Sequence, residues 1–102
     1  MARPRTELQT LLESTLGSRN VYFQPPESFK IKYPCIIYEL RNMEKIFADN
    51  IGYMNKRSYQ VTVVDRDPDS TIPLAVSDIP MCRFNRFYTA DNLNHFVFTI
   101  YF

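Results

Sequence analysis

Apolar positions along the first quarter of the chain repeat with a helical period. Leu8, Leu11, Leu12 and Leu16 fall on one face, which predicts an amphipathic helix from Thr6 to Leu16. Thr6 followed by Gln9 fits a capping box, with Pro4 as a boundary just outside, and Gly17 is placed to end the helix in a left-handed conformation. The pattern then changes to strands. Asn20 to Phe23 reads as a short strand, and Pro25-Pro26-Glu27-Ser28 breaks it. Phe29 to Tyr33 allows a few extended residues. Cys35 to Leu40 is apolar on both faces as far as Glu39, the mark of an inner strand.

From Arg41 to Asn55 the pattern loses its period. Phe47-Ala48-Asp49-Asn50 and Gly52 carry turn chemistry, which predicts a long connection with at most a short extended piece near Ile46. Such a connection either projects from the sheet as an arm or folds back on the core. Lys56 to Asp65 is a half-buried antiparallel strand, with Tyr59, Val61 and Val63 alternating against Ser58, Gln60 and Thr62. Asp69 or Ser70 is placed to cap a second helix with Pro73 in its first turn, an apolar stripe of Ile72, Val76 and Ile79, and a stop at Pro80. Cys82 to Thr89 is the next strand. Strict alternation puts Cys82, Phe84, Arg86 and Tyr88 on one face and Arg83, Asn85 and Phe87 on the other. A turn over Ala90 to Asn94 leads into a last strand, His95 to Phe102, with Phe96, Phe98, Ile100 and Phe102 sharing a face. Runs of strands with one helix before the sheet and one inserted between strands define an α+β class with a mostly antiparallel sheet.

A length of 102 residues predicts one domain, spanning 1–102. A net charge of +1, from 12 basic against 11 acidic residues with the signs interspersed, gives no basic arm for coating nucleic acid. No apolar run reaches the roughly 20 residues a membrane helix needs, nor does a signal-peptide core follow the basic start. Folding in a cytosol is expected.

Candidate chemistry is sparse. Cys35 and Cys82 sit in apolar strands and read as buried thiols, not a disulfide. With His95 as the sole histidine, no zinc site is expected. Asp91, Asn92, Asn94 and His95 cluster in the last hairpin; Asx side chains bonding their own backbone explain the cluster more simply than a hydrolase or lyase site. Asp65, Asp67 and Asp69 resemble a cation loop only superficially: an EF-hand needs Gly at its sixth position and Glu at its twelfth, and Ser70 and Val76 stand there. Arg83 and Arg86 interleave with Phe84, Phe87 and Tyr88, a composition that stacks single-stranded bases and that ordinary strand alternation also produces. No phosphate-binding glycine loop is present, and no cofactor is expected. What remains is an excess of aromatics, at 15% of the chain, on a sheet with open edges, which points to protein contacts.

Three segments carry a resemblance: Tyr33 to Glu39; Phe47 to Asn50 with Lys56 to Val63; and Asp65 to Ser70 through Phe87 to His95. Together they resemble the small tail-terminator or tail-completion proteins of long-tailed bacteriophages, also described as head–tail joining or minor capsid proteins. The D-x-D-P-D-S and T-A-D-N-L-N-H stretches are the distinctive parts, and the likeness runs from about residue 5 to Phe102. The resemblance implies a structural, non-enzymatic protein of the virion tail, assembled in the host cytoplasm. It implies a ring, usually of six copies, at the head-proximal end of the tail tube. That ring ends tube polymerisation, meets the head connector and lets DNA pass through its lumen. No catalytic residue comes with it. On this reading the contacts between subunits or with the tube fall on the arm, at Ile46, Phe47, Asp49, Asn50, Tyr53, Met54, Lys56 and Arg57. The others fall on the acidic loop, at Arg66, Asp67 and Asp69.

Overall fold

The computed structural model describes residues 5–25, 31–48 and 52–102. Its elements are α1 (Arg5–Leu16), β1 (Val21–Phe23), β2 (Cys35–Ala48), β3 (Gly52–Asp65), α2 (Ile72–Ser77), β4 (Cys82–Ala90) and β5 (Leu93–Tyr101). The five strands form one sheet in the order β1-β2-β3-β5-β4. Only β1 and β2 are parallel; the other neighbours are antiparallel. The α+β class and the place of both helices follow the sequence pattern.

α1 forms where the leucines repeat, and it buries Leu8 and Leu12 completely. Gly17 closes it at φ +79°, donating its N–H to the Glu13 carbonyl at 2.9 Å. The capping box does not form, because the helix starts at Arg5, one residue before Thr6. Gln9 is used elsewhere: its amide donates to the Val21 carbonyl at 3.0 Å and its carbonyl accepts from the Tyr38 hydroxyl at 2.5 Å. Arg5 donates to the same hydroxyl at 2.9 Å and stacks 4.4 Å over the Phe23 ring. A polar triad therefore ties α1 to β1 and β2. Burial pushes the Tyr38 pKa up, opposed by the hydrogen bond from Arg5.

α1 and α2 cover one face of the sheet. The core lies between, built from Leu8 and Leu12 of α1, Val76 of α2, Ile79, and the inward residues Ile36, Tyr38, Tyr59, Val61, Val63, Phe98 and Ile100. Cys35, Val64 and Val97 are buried on the opposite face, so β2, β3 and β5 are apolar on both sides, as expected of central strands.

Four expectations need correction. Phe29 and Lys30 lie outside the described residues, while Ile31 to Tyr33 carry no strand and lead into a cis Tyr33-Pro34 bond. The N-cap of α2 is Thr71, without a side-chain bond of its own; Ser70 Oγ accepts from the Ile72 N–H at 3.3 Å instead. Strict alternation fails along β4, because a bulge at Asn85 shifts the register between Phe84 and Arg86. Phe84 and Phe87 therefore share the helix face, against Phe98 and Phe96, while Arg83, Arg86 and Tyr88 share the other. The fourth and largest correction concerns 41–55. β2 continues to Ala48 and β3 starts at Gly52, so the expected irregular connection is a paired ribbon.

That ribbon leaves the sheet. Pairing with β1 ends at Phe23↔Tyr38, and pairing with β5 begins at Ser58↔Tyr101. A second bulge, between Leu40 and Asn42, marks the departure. Past Ser58 the two strands have no other ladder partner than each other among the described residues. They run from Asn42↔Ser58 to Ala48↔Gly52, about 20 Å at 3.4 Å per residue. The molecule measures 52 × 26 × 23 Å, its long dimension consistent with such an arm.

Candidate assembly surfaces

The arm carries most of the predicted interface residues. Register places Ile46 opposite Met54, Glu44 opposite Lys56, Phe47 opposite Tyr53, and Met43 opposite Arg57. Asp49 and Asn50 lie outside the described residues. Arg57 anchors the base of the arm: its carbonyl accepts the Phe102 N–H at 3.0 Å, and its Nε is buried without a hydrogen-bond partner.

The acidic loop stands at the other end of β3. Arg66, Asp67 and Asp69 are exposed. Its carboxylates are engaged locally: Asp65 Oδ1 accepts the Asp67 N–H at 3.0 Å, and Asp67 Oδ1 accepts the Asp69 N–H at 2.9 Å. Asn94 Nδ2 donates to the Asp65 and Arg66 carbonyls at 3.2 and 3.3 Å, lashing the loop to the β4–β5 hairpin. The arm set reaches along β3 as far as Arg57 and the loop set begins at Arg66, nine residues or roughly 30 Å further on.

A third surface escaped the sequence reading. Among the described residues β4 is an edge strand with β5 as its one neighbour, and all its residues but Cys82 are exposed. Phe84 is 53% exposed and Phe87 49%, and Leu74 on α2 stands 68% exposed. Between α2 and β4 lies an open groove of about 360 Å³, lined by Ser70, Pro73, Leu74, Ser77, Phe84, Phe96 and Phe98. The available signal was Leu74, which stands off the Ile72–Val76–Ile79 stripe on a helix whose apolar face is otherwise complete.

On the opposite face of β4, Tyr88 stacks on His95 with ring centroids 4.5 Å apart and planes 10° off parallel, and Arg86 lies 5.4 Å over the Tyr88 ring. His95 Nδ1 lies 3.2 Å from the Leu93 carbonyl oxygen. A polar depression at the hairpin tip is lined by Thr89, Ala90, Asp91, Asn92 and Asn94, without His95. The turn itself is Asp91-Asn92, both at positive φ, as a two-residue hairpin of type I′ requires. Phe84 and Phe87 point away from Arg83, Arg86 and Tyr88, so the five residues weighed for base stacking do not form one platform.

Both cysteines are free thiols. Burial pushes Cys35 up to about 12, with Asp65 adding to it, and Cys82 up to about 11. Among the described residues no three His, Cys, Asp or Glu side chains are grouped to hold a metal ion, and no helix is long and apolar enough to cross a membrane. No family model matches the chain, and no curated protein matches it significantly.

Proposed function

We propose that this chain is a structural virion protein. In this reading it forms a ring at the head-proximal end of a long-tailed phage tail, where it ends tube polymerisation and offers a surface to the head connector. The observation that carries the reading is the arm, a ribbon that leaves the sheet at one end while an apolar edge stays open on another side. A two-stranded ribbon on its own is marginal in water, and an exposed edge strand invites a further strand. Two different unsatisfied patches on one small domain are what a head-to-tail interface needs, and such interfaces close into rings when the rotation permits. The partners in this reading are further copies of the chain, six in a ring of the usual size, the tube protein and the connector. DNA crosses the lumen without being gripped, in keeping with a net charge of +1. No residue is assigned a catalytic role.

The test is a polymerisation assay. Tube protein assembling in vitro should stop growing at one end when this chain is added, and tubes capped in this way should join connector-bearing heads. Unchanged tube growth with folded protein present would remove the reading.

A second reading, a module binding single-stranded nucleic acid, draws on Arg83, Arg86 and Tyr88 sharing one face of β4. It requires binding to oligonucleotides that weakens steeply with salt. Flat titrations at low salt would dispose of it.

A further inference from the structure

We infer that the groove between α2 and β4 is the receptor for the arm of a second copy of this chain, so that each copy donates its ribbon to one neighbour and receives a ribbon from another. The inference deepens the ring reading and rests on it for its biological setting, though the contact itself is a property of this chain alone.

The groove is apolar at its floor, where Phe84, Phe96 and Phe98 meet Pro73 and Leu74. It runs beside a strand whose outer backbone edge has no neighbour among the described residues. A strand or ribbon laid along β4 would pair with that edge while its apolar residues filled the groove, the usual mode of β-augmentation. The arm has the matching composition. The sequence from 46 to 54 holds Ile46, Phe47, Ile51, Tyr53 and Met54. Beyond Tyr38 on β2 and Ser58 on β3, neither strand has a further ladder partner on its outer side among the described residues.

Charge favours this occupant. Residues 41–57 carry Arg41, Lys45, Lys56 and Arg57 against Glu44 and Asp49, a net +2. Residues 65–78, which lead into and form α2 along one rim of the groove, carry Asp65, Asp67, Asp69 and Asp78 against Arg66, a net −3. Arg83 and Arg86 project from the other face of β4 and do not offset that rim. Opposite charges on the two patches steer docking and penalise arm-to-arm or groove-to-groove pairing.

A chain cannot fill its own groove. Phe84 and Phe98 sit level with Val61 on β3, whereas the arm ends at Gly52, about 30 Å away along the same strand. The donor must be another copy, which makes the contact heterologous.

The experiment mixes a Tyr53→Cys copy with a Leu74→Cys copy and treats them with a short bismaleimide; wild type, whose thiols are held in their unreactive form, is the control. Cross-linked dimer should appear in the mixture and not with either variant alone. Leu74→Asp, at an exposed site where folding is unaffected, should weaken association about 10- to 100-fold, the factor for losing one buried large side chain. Asp67→Lys with Asp69→Lys should weaken it too, and Lys45→Glu with Lys56→Glu should restore it. An assembled chain without the mixed cross-link, or with Leu74→Asp associating like wild type, overturns the inference and leaves the ring reading standing. Arm-to-groove association without capping of tail tubes overturns the ring reading and leaves the inference. No association, alone or on tubes, overturns both.

Discussion

Excising the arm tests whether it stands clear of the body of the protein. The perturbation removes residues 44–56 and joins Met43 to Arg57 through an Asn-Gly turn, which suits a two-residue hairpin. Met43 and Arg57 already face each other in register, so the remaining strands keep their pairing, and the Arg57 carbonyl keeps its bond from Phe102. Among the described residues the excised strands form ladder pairs only with each other, and an isolated ribbon of that kind contributes close to nothing to stability. Replacing a 13-residue connection with two residues reduces the loop-closure cost by about 1.5 kcal/mol. For 102 residues the entropy of unfolding is about 0.2 kcal/mol per kelvin, so the melting temperature should stay level or rise by up to about 7 °C. Calorimetry or circular dichroism measures it, and self-association should be lost in the same protein. A fall of more than about 10 °C, roughly 2 kcal/mol, would show that the ribbon folds back on its own core and would refute the argument.

Other predictions address the core and the sites around it. Leu12→Ala empties a fully buried position under α1 and should cost about 3 kcal/mol, or about 15 °C in melting temperature; a loss under 1 kcal/mol in a urea titration would contradict the packing. Tyr38→Phe removes the hydroxyl that joins Arg5 and Gln9 and should cost about 1 kcal/mol by the same titration, with the fold retained. Both thiols should resist a thiol reagent at pH 8 until denaturant is added, and rapid labelling of native protein would contradict their burial. Raised thiol pKa values mean that the folded state holds its protons longer than the unfolded one. Their contribution is therefore complete below the ordinary value of 9.0 and is lost as the pH rises from there to about 12. Urea midpoints followed across that range should fall, and a rise would reverse the sign.

The elements whose residues face a single environment were legible from the chain. α1 has its leucines on one stripe and a glycine at its end, β3 alternates strictly, and β5 places four apolar residues on one face. For the arm, the sequence left projection and folding back on the core both open, and its paired structure was missed. Its sequence shows no apolar alternation with a period of two, so N-M-E-K-I-F reads as irregular although it pairs residue for residue with its partner. The bulge at Asn85 left no composition signal, yet it exchanged the faces of every residue after it on β4 and divided a presumed base-stacking set. Gln9 suited a capping box locally, and a partner 29 residues away, Tyr38, took it instead. The predicted contact residues on the arm and the acidic loop lie at opposite ends of β3, and the groove that relates them needed α2 and β4 in place before it existed at all.

Electron micrographs of tails purified from particles assembled without this chain, then incubated with it, test the assembly claim most directly. End-on class averages should show discrete copies closed into a ring at one end of each tube, with contacts between copies where the ribbon of one meets the α2–β4 side of the next. Tube ends that stay bare, or copies scattered along the whole tube, would contradict it.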